Sequence, residues 1–201
     1  ITKQDPYFWL RDDERKAKDV LKYLEEENFY CEARMEHLKG LKDQLYTEMK
    51  SHMKETDEEV PYPDGPYLYY SRSEEGKSYK IFCRKPIAGG AEEIIMDENV
   101  IAEGKKYASV GAYAISPDHK LLAYAVDYTG YETYSVQIKD LQTGKLSDET
   151  IEETSGDINW GADNSVLFYT LMDEEHRPNE LRMRVLGRGG GDSSSKEGDT
   201  S

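Results

Sequence analysis

The chain repeats itself at a fixed spacing. Residues 113–127 read YAISPDHKLLAYAVD and residues 158–173 read INWGADNSVLFYTLMD, so Asp163 follows Asp118, and Tyr169 follows Tyr124, by the same 45 positions. A fainter copy, PYPDGPYLYY at 61–70, again sets a tyrosine, Tyr70, six positions after an aspartate, Asp64. A period near 45 residues with turn-then-strand content is that of a β-propeller blade. Propellers close with about 4–8 blades. Three blades leave an open edge, and the repeat therefore predicts that this chain forms part of something larger.

Composition narrows the partners. The 201 residues carry a net charge of −15, with 33% charged and 37% hydrophobic residues, which is polar but not the signature of disorder. Acidic groups outnumber basic ones both in 1–60 and in 61–187. With no basic stripe, nucleic acid and anionic membrane surfaces are disfavoured as partners. Basic peptides suit the charge, although a negative surface also serves solubility alone. No apolar run of roughly 18 residues is present to span a bilayer. The two cysteines, Cys31 and Cys83, have neither metal-ligand nor disulfide-framework spacing, and read as reduced thiols in a cytoplasmic protein. Sixteen tyrosines suit strands with one face half buried.

Along the chain the hydrophobic period changes once. Residues 1–12 read as extended, with Tyr7-Phe8-Trp9-Leu10 as an apolar cluster that needs a surface to cover it. Asp12, Asp13 and Glu14 then supply negative charge for a helix start. From Ala17, apolar residues recur at helical spacing, except across Asn28, through Val20, Leu21, Leu24, Cys31, Met35, Leu38, Leu41, Leu45 and Met49, a pattern that Gly40 could divide or merely weaken. Asp57-Glu58-Glu59 and the Pro61/Pro63 pair mark a boundary near residue 60. Beyond it the period is 2. Strands are expected over 67–72, 79–84, 93–96, 113–115, 120–126, 133–140, 166–170 and 181–186, with the third unit opening at Ile158. The segment 188–201, RGGGDSSSKEGDTS, reads as a disordered Gly/Ser-rich tail. The expected fold is thus α+β, a helical segment over 1–60 followed by an incomplete propeller of antiparallel four-stranded blades over 61–187.

Three motifs, DPYFWLRDD at 5–13, SPDHKLLAYAVDYTGYETYSVQIKDLQTG at 116–144 and WGADNSVLFYTLMDEEHRP at 160–178, resemble the N-terminal part of the prolyl oligopeptidase family of serine peptidases, within its oligopeptidase B branch. The resemblance implies a seven-bladed propeller, of which this chain holds about three blades, acting as a lid on an α/β-hydrolase domain. It implies that the helical segment packs on that domain, and that the full enzyme hydrolyses short peptides after Lys or Arg. The family's nucleophile sits in a Gly-x-Ser-x-Gly elbow, and no such pentad occurs here. No catalytic, cofactor-binding or metal-ligating residue is therefore assigned, no cofactor is implied, and the chain alone is expected to be inactive. The competing expectation is a non-catalytic propeller-like interaction or regulatory remnant.

Several individual residues fit plain structural roles better than chemical ones. His37, His52, His119 and His176 lie in different elements and read as surface or structural histidines rather than a triad member or metal ligand. Trp9 and Trp160 read as packing residues before ligand platforms. Asp64, Asp118 and Asp163 recur at one blade position, where a carboxylate accepting backbone N–H bonds at a turn is expected over a cation-binding ring. Asp127 and Asp173 are read the same way. Asp173-Glu174-Glu175 with Arg177 reads as a solvated loop.

Overall fold

The computed structural model describes residues 3–186 and the backbone of 192–195. The chain divides into two compact units, 1–54 and 55–201.

In the first unit Phe8–Leu10 form a short 3-10 turn, and Trp9 meets Tyr23 edge-on at 5.3 Å. Helix α1 spans Lys18–Met35. No side chain caps it at Ala17, but Asp12 Oδ2 accepts from Ala17 N at 2.6 Å, placing the expected acidic charge at the helix start. The break comes at Glu36–Leu38, which tighten into 3-10 geometry, and helix α2 spans Lys39–Ser51 with Gly40 inside it. Gly40 is therefore tolerated rather than decisive. Val20 is the single buried residue of α1, and α2 has none.

The second unit consists of antiparallel strands. Strands β1 (Asp57–Glu58) and β2 (Tyr62–Asp64) pair with the two halves of β3 (Tyr67–Ser73), followed by β4 (Ile81–Pro86) and β5 (Glu93–Asp97). This is blade 1, whose innermost strand is interrupted at Pro61. Helix α3 (Glu98–Ile101) follows, capped by Asp97 Oδ1 accepting from Asn99 N at 2.9 Å. Then come β6 (Ser109–Ile115), β7 (Leu121–Asp127), β8 (Tyr134–Asp140), β9 (Leu146–Trp160), β10 (Val166–Met172), β11 (Pro178–Val185) and β12 (Asp192–Ser195), paired in that order as one seven-stranded sheet.

The seven strands are two blades sharing a strand. The first part of β9 pairs with β8, Val136 opposite Ile151, and the second part with β10, Tyr169 opposite Ile158. Thr154 is a partner of both Tyr134 and Leu171. The first part of β9, from Leu146, is thus the outer strand of blade 2, which the sequence pattern did not mark, and the third unit takes the second part, where Ile158 lies. Glu153 and Gly156 turn the strand between the two parts with φ of 61° and 94°. Of the expected disordered tail, Asp192–Ser195 instead pair with β11, Leu181 opposite Ser195, because β11 offers them a free ladder edge. The rest of 188–201 lies outside the described residues.

Alternation along β7 builds the core. Leu122, Tyr124 and Val126 join Met96 in a cluster that also packs Phe82 and Tyr113, on the side of blade 1. Ala123 and Ala125 join Val136, Ile138, Ile158 and Leu167 on the side of blade 3. A strand buried on both faces needs small or branched residues throughout, and LLAYAVD supplies them.

Two glycines give a test of opposite sign. A Cβ at Gly156 would lie 3.0 Å from the Tyr134 ring on a backbone with φ of 94°, so Gly156→Ala is expected to destabilise the strand unit by about 1–3 kcal/mol in urea unfolding. Gly40 is helical with no atom near its missing Cβ, so Gly40→Ala should stabilise α2 by roughly 0.5–1 kcal/mol and raise helicity in far-ultraviolet circular dichroism.

Candidate functional site

The recurring aspartates organise turns. Asp118 Oδ1 accepts from Ser116 Oγ at 2.7 Å and from Lys120 N at 3.2 Å. Asp163 accepts from Ser165 N at 3.1 Å and Ser165 Oγ at 2.8 Å. The hydroxyl bonds, from Ser116 and Ser165 respectively, hold both carboxyls below the ordinary carboxylate range. Asp173 accepts from the backbone N–H groups of Glu175 and Arg177, each at 2.9 Å, and Arg177 pairs back with Asp173 and Glu175 within its own loop. Asp64 ends β2 at the corresponding turn and is exposed.

Asp127 does more. It is buried at the end of β7, and its carboxylate gathers Thr129 N and Thr129 Oγ1, both at 2.7 Å, with Gly130 N at 3.0 Å and Glu132 N at 2.9 Å. Burial pushes its pKa up, but the bonds from Thr129, Glu132 and Gly130 outweigh that and leave it depressed. These groups close the 127–132 loop around one charge.

The residue after each turn aspartate links neighbouring blades, and sequence reasoning missed this. Gly65, His119 and Asn164 all follow an aspartate and all sit at positive φ, 53°, 61° and 63°. Asn164 Oδ1 accepts from Asp118 N at 2.8 Å, tying the turn of blade 3 to that of blade 2. The His119 ring lies against Tyr67 and Tyr69 of blade 1, with centroids at 5.8 and 6.0 Å, and its Nδ1 bonds Tyr69 Oη at 2.9 Å. A Cβ on Gly65 would fall 2.1 Å from His119 Nε2, so only glycine leaves room there. Arg84 completes the cluster. Its Nη1 donates to His119 O at 2.6 Å, its Nε to Glu93 at 2.8 Å, and its guanidinium lies 4.0 Å from the Tyr67 ring centroid.

The other marked residues lie outside this cluster. Trp160 Nε1 donates to Ala114 O at 2.9 Å, joining the innermost strands of blades 2 and 3. His37, His52 and His176 are exposed in separate elements, and only His119 enters a cluster. Cys31 is exposed and free. Cys83 is buried and free, its thiol pushed up to about 11 chiefly by burial, which makes it a poor nucleophile. Among the described residues no group of three or more His, Cys, Asp or Glu side chains converges as for a metal. No helix among them is long and apolar enough to cross a membrane. The assembled geometry is mechanical, with turns pinned by carboxylates and blades pinned to each other.

This architecture has relatives. Residues 2–194 match the family described as prolyl oligopeptidase, N-terminal beta-propeller domain. The chain belongs to the prolyl oligopeptidase family. It is similar to oligopeptidase B from Leishmania major, at 37% identity and a TM-score of 0.89 over 98% of this chain and 28% of that one. It is similar also to oligopeptidase B from Trypanosoma brucei, a closed form with covalently bound antipain, at 38% identity and a TM-score of 0.86 over 97% of this chain and 28% of that one. Among curated proteins, dipeptidyl aminopeptidase BI of Pseudoxanthomonas mexicana is 36% identical over 92% of this chain and 28% of its own length. The chain thus spans little more than a quarter of the length of these prolyl oligopeptidase relatives, and what it contributes is the N-terminal propeller region.

Two substitutions probe the pinned turns. His119→Ala removes the ring that packs against Tyr67 and Tyr69 and puts alanine at positive φ, so a loss of about 2–3 kcal/mol is expected in urea unfolding. His119→Gly, which keeps the backbone relaxed, should lose about half of that. Asp127→Asn leaves backbone donors unmet and is expected to cost about 1–3 kcal/mol at neutral pH. Because the folded pKa of Asp127 is depressed, its contribution is full above the unfolded value near about 3.9 and is lost as pH falls towards the folded one. The gap between wild type and Asp127→Asn should therefore narrow below that value in acid unfolding curves.

Proposed function

We propose that this chain serves a cytoplasmic serine oligopeptidase as part of its propeller lid, restricting entry to short peptides while the Ser-Asp-His chemistry takes place on an α/β-hydrolase domain outside these residues. The full enzyme cleaves after Lys or Arg, and short basic peptides are its substrates. The observation that carries this reading is the likeness to two oligopeptidase B structures at 37% and 38% identity, against 22% for a solved prolyl endopeptidase and 26% for the curated prolyl endopeptidase of Elizabethkingia meningoseptica. A propeller suits gating because its blades form a rigid wall whose width is set by the inter-blade pins, excluding folded proteins by size. The helical unit, with its exposed apolar residues, packs on the hydrolase domain.

The name of the Pseudoxanthomonas relative describes, for that protein, release of dipeptides, and this is the competing reading. One assay separates them. The full-length protein is given fluorogenic peptides blocked at the N-terminus and ending in Arg, Lys or Pro before the reporter, alongside unblocked dipeptide reporters. Preference for the blocked Arg and Lys substrates, by at least about tenfold in kcat/KM, is the expected result. Preference for unblocked dipeptides or for Pro overturns the assignment. The 201-residue chain alone should show no turnover above buffer, and turnover abolished by a serine-directed inhibitor would show that the chemistry is carried within it.

A further inference from the structure

A groove of about 590 Å³ opens between the outer parts of blades 1 and 2, a volume in the range of small-molecule sites. Ile94 of β5 with Val100 and Ile101 of α3 line one side, and Tyr124 and Leu146 line the other. Ile94, Val100 and Leu146 are 50, 65 and 52% exposed, so the apolar lining is open to solvent. The groove shares no lining residue with the turn cluster around His119.

Its polar lining is nearly spent, with one exception. Tyr124 Oη donates to Gln137 Oε1 at 2.7 Å, and burial pushes that phenol up to about 12. Asp97 is occupied by Asn99 N and Nδ2 and lies 3.9 Å from Lys77 Nζ. The exception is Lys139 of β8. Its Nζ crosses to blade 1 and donates to Ile95 O at 2.9 Å, leaving two of three N–H donors, and among the described residues no carboxylate pairs with it. Burial lowers its basicity, with no anion acting in the other direction. A second cation, Lys105, stands 5.1 Å over the ring of Tyr128, which also lines the groove.

We infer that the groove binds a medium-chain fatty carboxylate, its alkyl chain on the Ile94, Val100, Ile101 and Leu146 surface and its carboxylate on Lys139. An alkyl chain asks nothing of the walls but apolar contact, and the anionic head answers the ammonium of Lys139. An extended peptide fits less well. It would need backbone partners from β5, where Ile95 is bulged out of the β4 ladder and its carbonyl is already taken by Lys139.

The probe is sodium decanoate below its micelle concentration, titrated calorimetrically into the full chain. One saturable site is expected, weakened by more than about tenfold in Lys139→Met, which keeps the apolar stem, and restored in part by Lys139→Arg. Decylamine and N-acetyl-leucyl-leucinamide, which carry no carboxylate, should not compete. Val100→Glu, at an exposed position that folding tolerates, should also weaken decanoate by more than about tenfold, and it decides the matter if Lys139→Met does not fold. Absence of binding, binding unchanged in Lys139→Met or Val100→Glu, or equal competition by the amine or the peptide overturns the assignment. Decanoate held by the exposed apolar residues of α1 and α2 would persist in both variants and so counts against it.

Discussion

The corner in β9 at Thr154 is the constraint on which the blade arrangement depends. Thr154 is fully buried, its Oγ1 donates to Tyr134 O at 3.0 Å, and its backbone faces β8 on one side and β10 on the other. A 15-residue strand that ran straight would extend one sheet, and its buried N–H and C=O groups would have to find partners along that single line. Positive φ at Glu153 and Gly156 instead lets the ladder change partners without leaving the sheet. Blades 2 and 3 are therefore joined through continuous backbone pairing, so their separation is set by main-chain geometry.

Blade 1 is joined to blade 2 by different means. No strand is shared between their sheets. The links are side chains: Phe82 edge-on to Tyr113 at 4.9 Å, His119 against Tyr67 and Tyr69, Arg84 on His119 O, and Lys139 on Ile95 O. Side-chain contacts can yield one at a time, whereas a ladder yields cooperatively. The joint between blades 1 and 2 is thus the more adjustable of the two, and it is also where the apolar groove lies. The turn residues Gly65, His119 and Asn164 show how one backbone requirement, a left-handed residue after an aspartate, is met with three side chains whose reach suits three different neighbours.

What was legible in the sequence follows from burial. LLAYAVD at 121–127 is buried on both faces and could only be a central strand, and YLYYSR at 67–72, tyrosine-rich and flanked by turn residues, is enough to place β3. The first part of β9 was not legible. In LSDETIEE only Ile151 is buried, and a strand exposed along most of its length leaves no periodic signal. The helix break at Glu36–Leu38 was not legible, because local propensity marks only Gly40, which lies inside α2. The turn aspartates were legible because their partners lie two to five residues away. The inter-blade pins were not, since Asn164 with Asp118 and Lys139 with Ile95 are separated by 46 and 44 residues, and nothing local marks the pairing.

The helical unit poses the remaining physical question. Leu21, Leu24, Met35, Leu41, Leu45 and Met49 keep helical spacing yet are 43 to 68% exposed. Isolated helices of this length are marginal in water, and most helix stability in proteins comes from covering an apolar face. Charge adds little: the Lys22–Glu26 pair is exposed and contributes a few tenths of a kcal/mol at most. A face of leucines and methionines that stayed wet would forgo about 25 cal/mol for each Å² left uncovered, with no gain in specificity. The pattern makes sense if the face is built to be covered, and a hydrolase domain that the proposed function already requires is the economical cover. On that view the sequence spends its apolar residues in two places for two reasons, inside the blades to hold them together and along the helices to hold the blades to the chemistry.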